Sequence, residues 1–310
     1  MKVLFLDTTH KTLTIGLENI GYKTELDNTS SKLEIEAKLK DYVGVVIRSR
    51  FKLDKQFLEA GSHLKFIGRV GAGLENIDIT HANKLGINLI SAPEGNRNAV
   101  GEQALGMLLS LFNNLNRADR EVRNGIWIRE GNRGIELRGK TVGIIGYGNM
   151  GNAFSRVLSG MGVEVVFHDL KQNLSNEKGT QVSLEELFER TDVLSIHTPL
   201  TDTTKNMVDA KFLSSFKKNI YFINTARGPI TVTTDLVKAI KTGKVQGACL
   251  DVLEYEKTSF ENMFTENELP EAFQYLIKSD KVILSPHIAG WTHESNIKMA
   301  QTIVDKVDEL

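Results

Sequence analysis

Short, almost wholly apolar runs alternate with amphipathic stretches along nearly the whole of this chain, and that alternation leaves few folds open. Runs at residues 3–6, 43–47, 64–70 and 88–90 read as strands, while 33–39, 54–60 and 79–85 between them carry apolar residues at helical spacing. The pattern resumes with runs at 142–145, 163–167, 193–196, 221–223, 245–250 and 282–284, separated by helical patterns such as 184–188, 213–216 and 236–240. A strand apolar at every position has both faces covered, as parallel strands between crossover helices do. The chain is therefore α/β, built on parallel sheets. Ten such runs overfill one open sheet, so two doubly wound domains are expected. Residues 91–98 (Ser-Ala-Pro-Glu-Gly-Asn-Arg-Asn) are turn-rich and precede a long helical pattern at 100–115, which places a seam there. The expected domains are 1–97 with 287–310, the last helix (about 293–310) returning to the first unit, and 98–286.

Bulk properties narrow the partners. With 38 basic against 39 acidic residues in 310, the net charge is −1, and no global basic field exists to hold nucleic acid or an anionic membrane. The run at 3–6 is too short for a signal-peptide core, and no apolar segment approaches the roughly 20 residues a membrane helix needs. Cys249, the single cysteine, has no intrachain partner, as in a reducing compartment; a cytoplasmic location is expected. His10, His63, His81, His168 and His293 show no metal-ligand spacing, and no metal is expected.

One motif carries chemistry. Lys140-Thr141-Val142-Gly143-Ile144-Ile145 reads as a strand leading into Gly146-Tyr147-Gly148-Asn149-Met150-Gly151, with a helical continuation over 153–158. Gly146 permits the tight turn, Gly148 lets backbone approach a pyrophosphate, and Gly151 allows helix to pack on strand. The next strand ends at Asp169, 18 residues past Gly151 (169 − 151), near the spacing for a carboxylate on an adenosine ribose. A carboxylate there repels a 2′-phosphate and favours NAD over NADP. The second domain thus reads as a Rossmann NAD-binding domain. A methyltransferase reuses a similar turn, so the reaction must be read elsewhere.

It is read at the strand ends. Arg227 follows the strand at 221–223, Glu254 and Glu256 follow the one at 245–250, and His287 follows the last. Ligands of open α/β sheets bind beyond the carboxyl ends of the strands, where these groups lie. Hydride delivery to a ketone leaves charge on oxygen, which a histidine can protonate and a nearby carboxylate can support. A guanidinium grips a carboxylate as a planar fork and polarises the adjacent carbonyl.

These residues, with Val70-Gly71-Ala72-Gly73-Leu74-Glu75-Asn76-Ile77-Asp78, Ala92-Pro93-Glu94-Gly95-Asn96, Leu137-Arg138-Gly139-Lys140-Thr141, His197-Thr198-Pro199-Leu200, Asn224-Thr225-Ala226-Arg227-Gly228, Leu250-Asp251-Val252 and Ser285-Pro286-His287, give the chain its resemblance. It resembles, over essentially its whole length, the D-isomer-specific 2-hydroxyacid dehydrogenases. The resemblance implies that the first domain is a flavodoxin-like substrate domain, that His287 is the acid/base paired with Glu256, and that Arg227 orients the substrate. It assigns NAD to Gly146, Gly148, Asn149, Met150, Gly151, Asp169, His197, Thr198, Pro199, Thr225, Ala226, Asp251 and Gly290. It assigns the substrate carboxylate to backbone N–H groups of Val70, Gly71, Ala72 and Gly73, and it implies a homodimer formed through the cofactor domain, where Trp127 is a candidate contact. Lys257 stands where the family has proline, and the stretch 258–278 reads as an insertion, which keeps Glu254 open as the alternative to Glu256.

Arg48, Ser49 and Arg50 follow the strand at 43–47, and two guanidiniums at a strand tip suit a substrate phosphate. The same run occurs in family members acting on D-3-phosphoglycerate. The expected activity is hydride transfer between NAD and C2 of a small D-2-hydroxy or 2-oxo acid, with D-3-phosphoglycerate as the candidate, without the serine-binding regulatory domain. The alternatives are a hydroxypyruvate/glyoxylate reductase, or a non-catalytic NAD-sensing binding protein of the same fold. Trp291, beyond His287, is either a wall of the substrate pocket or plain packing.

Overall fold

The computed structural model describes residues 1–256 and 269–310, and the chain divides into two compact units, Met1–Arg97 with Trp291–Leu310 and Asn98–Gly290. Lys257 and residues 258–268 of the expected insertion lie outside the described residues; the rest of that insertion includes the helix Glu271–Lys278. Residues 287–290, expected with the first unit, belong to the second.

The first unit holds a five-stranded parallel sheet of β1 (Lys2–Phe5), β2 (Lys23–Leu26), β3 (Gly44–Ile47), β4 (Phe66–Arg69) and β5 (Asn88–Ser91), in the order β2-β1-β3-β4-β5. This is the flavodoxin-like order, with its switch point between β1 and β3. Successive strand residues face opposite ways. Leu4, Leu6, Val45 and Ile47 bury against Ile35, Phe57 and Leu58, while Val3, Phe5, Val46 and Phe66 bury against Leu13, Leu17, Met299, Ile303 and Val304. The helix His293–Asp308 thereby closes one face of this sheet; a Cβ at Gly68 of β4 would lie only 3.1 Å from Ile303 Cγ2. Each fully buried side chain of this kind contributes about 1.5–3 kcal/mol relative to exposure. β2 escapes the apolar-run criterion: Lys-Thr-Glu-Leu is an edge strand with no fully buried position.

The second unit holds a seven-stranded parallel sheet: β6 (Thr141–Ile145), β7 (Glu164–His168), β8 (Thr180–Gln181), β9 (Val193–Ile196), β10 (Ile220–Asn224), β11 (Val245–Leu250) and β12 (Val282–Leu284). Its order, β12-β11-β10-β9-β6-β7-β8, is that of a dinucleotide-binding sheet, reversing between β6 and β9. Alternate positions again serve two cores: Val142, Ile144, Phe167 and Ile223 on one face, Ile145, Val166, Ile196 and Phe222 on the other. Among the described residues, no helix is long and apolar enough to cross a membrane.

Candidate active site in the second unit

The glycine turn leaves β6 at the switch point, and each glycine answers a different constraint. Gly146 has φ +88°, and its N–H donates to His168 O at 2.9 Å. A Cβ on it would lie 2.9 Å from His197 O, at the end of the neighbouring strand β9. At Gly151 a Cβ would stand 2.1 Å from Gly146 O, so only glycine lets the helix Asn149–Leu158 begin this close to the strand. At Gly148, the N-cap of that helix, a Cβ would meet nothing within 4 Å, and no side chain caps the helix start. The space in front of the helix N-terminus is therefore open to an anion.

Asp169, one residue past β7, is fixed beside the turn. Its Oδ2 accepts from Tyr147 N–H at 2.7 Å and its Oδ1 from Lys171 N–H at 2.9 Å. The Tyr147 ring stacks on Phe167 at 3.6 Å, holding turn and strand together from the other side. Across the switch point, His197 is buried and burial pulls its pKa down to about 3, so the ring is neutral. Its Nε2 pairs with Ser195 Oγ at 2.8 Å. His197 Nδ1, Thr198 Oγ1 and Thr225 Oγ1 are buried without a hydrogen-bond partner. Buried polar groups are ordinarily satisfied. Three orphans at the ends of β9 and β10, next to an uncapped helix start, fit a polar group such as the sugar-phosphate portion of NAD. Pro199 is exposed beside them, Met150 is half-buried in the helix's first turn, and Ala226 is buried behind Arg227.

A second cluster forms beyond β10, β11 and β12. Asn224, 1% exposed at the end of β10, accepts from Ala226 N–H at 3.0 Å and donates to Arg227 O and Thr231 Oγ1, both at 3.1 Å. Its amide thus shapes the turn that carries Arg227. Gly228 brings that turn onto the next loop: a Cβ there would lie 1.9 Å from Leu253 O. Asp251, 1% exposed, accepts from Ser285 Oγ, from Ile288 N–H at 2.9 Å and from Ala289 N–H at 2.8 Å, while its carbonyl accepts His287 N–H at 2.7 Å. The expected cofactor contact at Asp251 is thus joined by a role the sequence hides, holding the loop that bears His287. His287 itself has φ +55°, a left-handed conformation rare for a residue with a side chain. Such strain persists only where surrounding contacts impose it, as the Asp251 bonds do here.

His287 Nδ1 lies 2.7 Å from Glu256 Oε2, and Glu256 Oε1 accepts from Leu253 N–H. Glu254 is occupied elsewhere, accepting the Thr233 N–H at 2.9 Å at the start of the helix Thr233–Lys241. Of the two candidate acids, Glu256 is the one within hydrogen-bond distance of His287. Arg227 is half-buried just past β10, with Nη1 donating to Ala226 O at 2.7 Å, and Gly290 lies three residues past His287.

In the first unit, Arg48 and Arg50 separate. Arg50 donates to the backbone carbonyls of Leu6, Asp27 and Ser30 and is a structural staple, which removes one of the two guanidiniums expected for a phosphate. Arg48 N–H donates to Asp7 Oδ2 at 2.6 Å, and Ser49 follows it at the same strand tip. The four expected N–H donors narrow too. Val70 N–H is taken by Ile47 O and Gly71 N–H by Arg69 O, both at 2.9 Å, whereas no described residue accepts from Ala72 or Gly73.

Comparison with known proteins gives the family and the fold. The family model for the NAD-binding domain of D-isomer specific 2-hydroxyacid dehydrogenases matches residues 105–289. A D-3-phosphoglycerate dehydrogenase of Archaeoglobus fulgidus is 32% identical over 312 residues, covering 99% of this chain and 56% of that protein, so the chain spans little more than half of that relative's length. A hydroxypyruvate reductase of Thermotoga maritima is 32% identical over 288 residues, 92% of this chain and 91% of that one. Among solved structures, an NADPH-dependent glyoxylate/hydroxypyruvate reductase from Sinorhizobium meliloti, crystallised with citrate, superposes with a TM-score of 0.81 at 27% identity, covering 99% and 93% of the two chains.

Proposed function

Because the chain belongs to the D-isomer specific 2-hydroxyacid dehydrogenase family, we propose that it interconverts a small D-2-hydroxy acid and its 2-oxo acid with NAD, and that D-3-phosphoglycerate and 3-phosphohydroxypyruvate are its pair. The observation that carries the reaction is the 2.7 Å contact between His287 and Glu256, the pair needed to move a proton at the substrate oxygen. NAD, when bound in its reduced form, supplies a hydride to C2 of the oxo acid. His287, with Nδ1 donating to Glu256, exchanges the proton at Nε2 with the oxygen that becomes the hydroxyl. Glu256 stabilises the imidazolium and fixes the ring's orientation. Arg227 receives the substrate carboxylate and polarises the neighbouring carbonyl. In the first unit, the N–H groups of Ala72 and Gly73 are donors suited to a carboxylate. Gly148, Asn149 and the helix start hold the pyrophosphate, and Asp169 takes the adenosine ribose. Arg48 reads the substrate's phosphate.

The reading includes a cytoplasmic homodimer. Val122, Ile126, Trp127 and Ile128 of the second unit, exposed by 52%, 45%, 78% and 49%, are apolar side chains that a second copy would cover; light scattering at a dimer mass checks this.

The decisive experiment offers 3-phosphohydroxypyruvate, hydroxypyruvate, glyoxylate and pyruvate with NADH. The phosphorylated acid is expected to turn over with the highest kcat/KM. His287→Gln is expected to lower kcat about a thousandfold with NADH binding held within about twofold. NADH binding without turnover of any acid would replace this reading by that of an NAD-sensing protein. Hydroxypyruvate preferred over its phosphate would replace the substrate.

A further inference from the structure

The switch point between β1 and β3 is where a sheet of this order opens a crevice for a ligand. Asp7 follows β1 and Arg48 follows β3, joined by the 2.6 Å bond from Arg48 N–H to Asp7 Oδ2. The Arg48 guanidinium makes no hydrogen bond or ion pair with any described residue. It is half-buried, and burial lowers its pKa against the opposing pull of Asp7. A guanidinium stays charged in proteins, so desolvation here creates a demand for an anion rather than a neutral group.

What the guanidinium does touch is Trp291, with Cζ 4.1 Å from the ring centroid. The partner's type matters. A carboxylate would neutralise the charge and occupy the donor fork, whereas an aromatic face holds the planar group flat and leaves its five N–H donors available. Trp291 is itself fixed. It precedes Thr292, whose side chain caps the helix His293–Asp308 in a reciprocal box with Ser295, and that helix is anchored in the core by Met299, Ile303 and Val304. Yet the indole remains 55% exposed, which core packing does not account for. Arg50, two residues from Arg48, shows the alternative fate of a guanidinium in this loop, with its donors taken by backbone carbonyls.

We infer that Trp291 is a positioning residue for substrate selectivity: its indole face holds the Arg48 guanidinium so that the N–H edge is kept for the phosphate of the substrate. The inference rests on the reading of Arg48 given above and assigns a second residue to it.

The test measures the ratio of kcat/KM for 3-phosphohydroxypyruvate to that for hydroxypyruvate in the wild type, Arg48→Gln, Trp291→Leu and Trp291→Phe. Arg48→Gln is expected to lower the ratio at least about thirtyfold. Trp291→Leu is expected to lower it about fivefold, mainly through KM for the phosphorylated acid, and Trp291→Phe to retain most of it. A binding readout stands beside the kinetics. In a Trp127→Phe protein, Trp291 is the only tryptophan left, and inorganic phosphate is expected to shift its emission saturably unless Arg48→Gln is also present. A selective Arg48→Gln alongside a Trp291→Leu that lowers both substrates equally, or neither, overturns the role of Trp291 alone, as does emission indifferent to phosphate. An unselective Arg48→Gln overturns the Arg48 reading and the inference with it.

Discussion

At the β6/β9 switch point the chain withdraws its side chains. Gly146 and Gly151 let strand, turn and helix close on one another, Gly148 leaves the helix start facing open space, and the nearby histidine, His197, is kept neutral. At the β1/β3 switch point it does the reverse, presenting a half-buried guanidinium braced by an indole. The same topological rule thus yields two kinds of candidate anion site. A site built from backbone is set by where a Cβ is absent and suits an invariant group such as a pyrophosphate. A site built from a side chain can be changed by one substitution, which suits the part of a substrate that differs among relatives.

The comparison breaks first at the glycines. At Gly148 an added Cβ meets nothing within 4 Å and φ is −76°, so Gly148→Val adds its bulk at an open, negative-φ position. It is expected to leave urea unfolding nearly unchanged while raising the Kd for NADH about a hundredfold, by filling the space in front of the helix. Gly151→Ala should fail the other way, losing about 3 kcal/mol of stability because its Cβ meets backbone 2.1 Å away. NADH titration and urea denaturation of both variants decide it. Native NADH affinity in Gly148→Val would remove the cradle.

On the first unit the two arginines make the sharper pair. Arg50→Ala leaves three carbonyls without their donor and is expected to lower the free energy of unfolding by about 2 kcal/mol. The phosphorylated-to-unphosphorylated kcat/KM ratio should stay within about twofold. A selective loss in Arg50→Ala would mean that both guanidiniums serve the substrate after all.

Which parts of this were legible beforehand follows from how local each constraint is. The two-sheet α/β plan was written in the apolar runs, because each buried parallel strand is a short stretch of contiguous sequence. β2 was not, since its four residues are exposed at an edge and need no apolar run. The glycine turn was legible because strand, turn and helix are consecutive. Arg48 and Arg50 could not be told apart, because what separates them lies at Leu6, Asp27, Ser30 and Trp291, distant in sequence. The choice of Glu256 over Glu254 likewise turned on Thr233, and the part Asp251 plays under His287 on Ser285, Ile288 and Ala289. Asn224 carried a weak signal, an amide ending an apolar strand immediately before Thr225-Ala226-Arg227.

The remaining contrast is one of charge, and pH tests it. Arg48 keeps its charge when half-buried, whereas His197, fully desolvated, has given its charge up, with a pKa near 3 against an unfolded value near 6.5. The unfolded chain therefore binds a proton at this residue between those two pH values and the folded chain does not. Stability from this group is complete above pH 6.5 and is lost as pH falls toward 3, because stability rises with pH wherever the unfolded state holds more protons. Between about pH 6 and pH 5 the loss amounts to about 1 kcal/mol. Urea titrations of the cofactor-free protein across that interval should show this fall, and His197→Asn should show a shallower one even if it begins from lower stability. An equal slope in the variant would mean that His197 is protonated in the folded protein, and that the β6/β9 switch point, like its counterpart in the first sheet, offers a charged side chain to its anion.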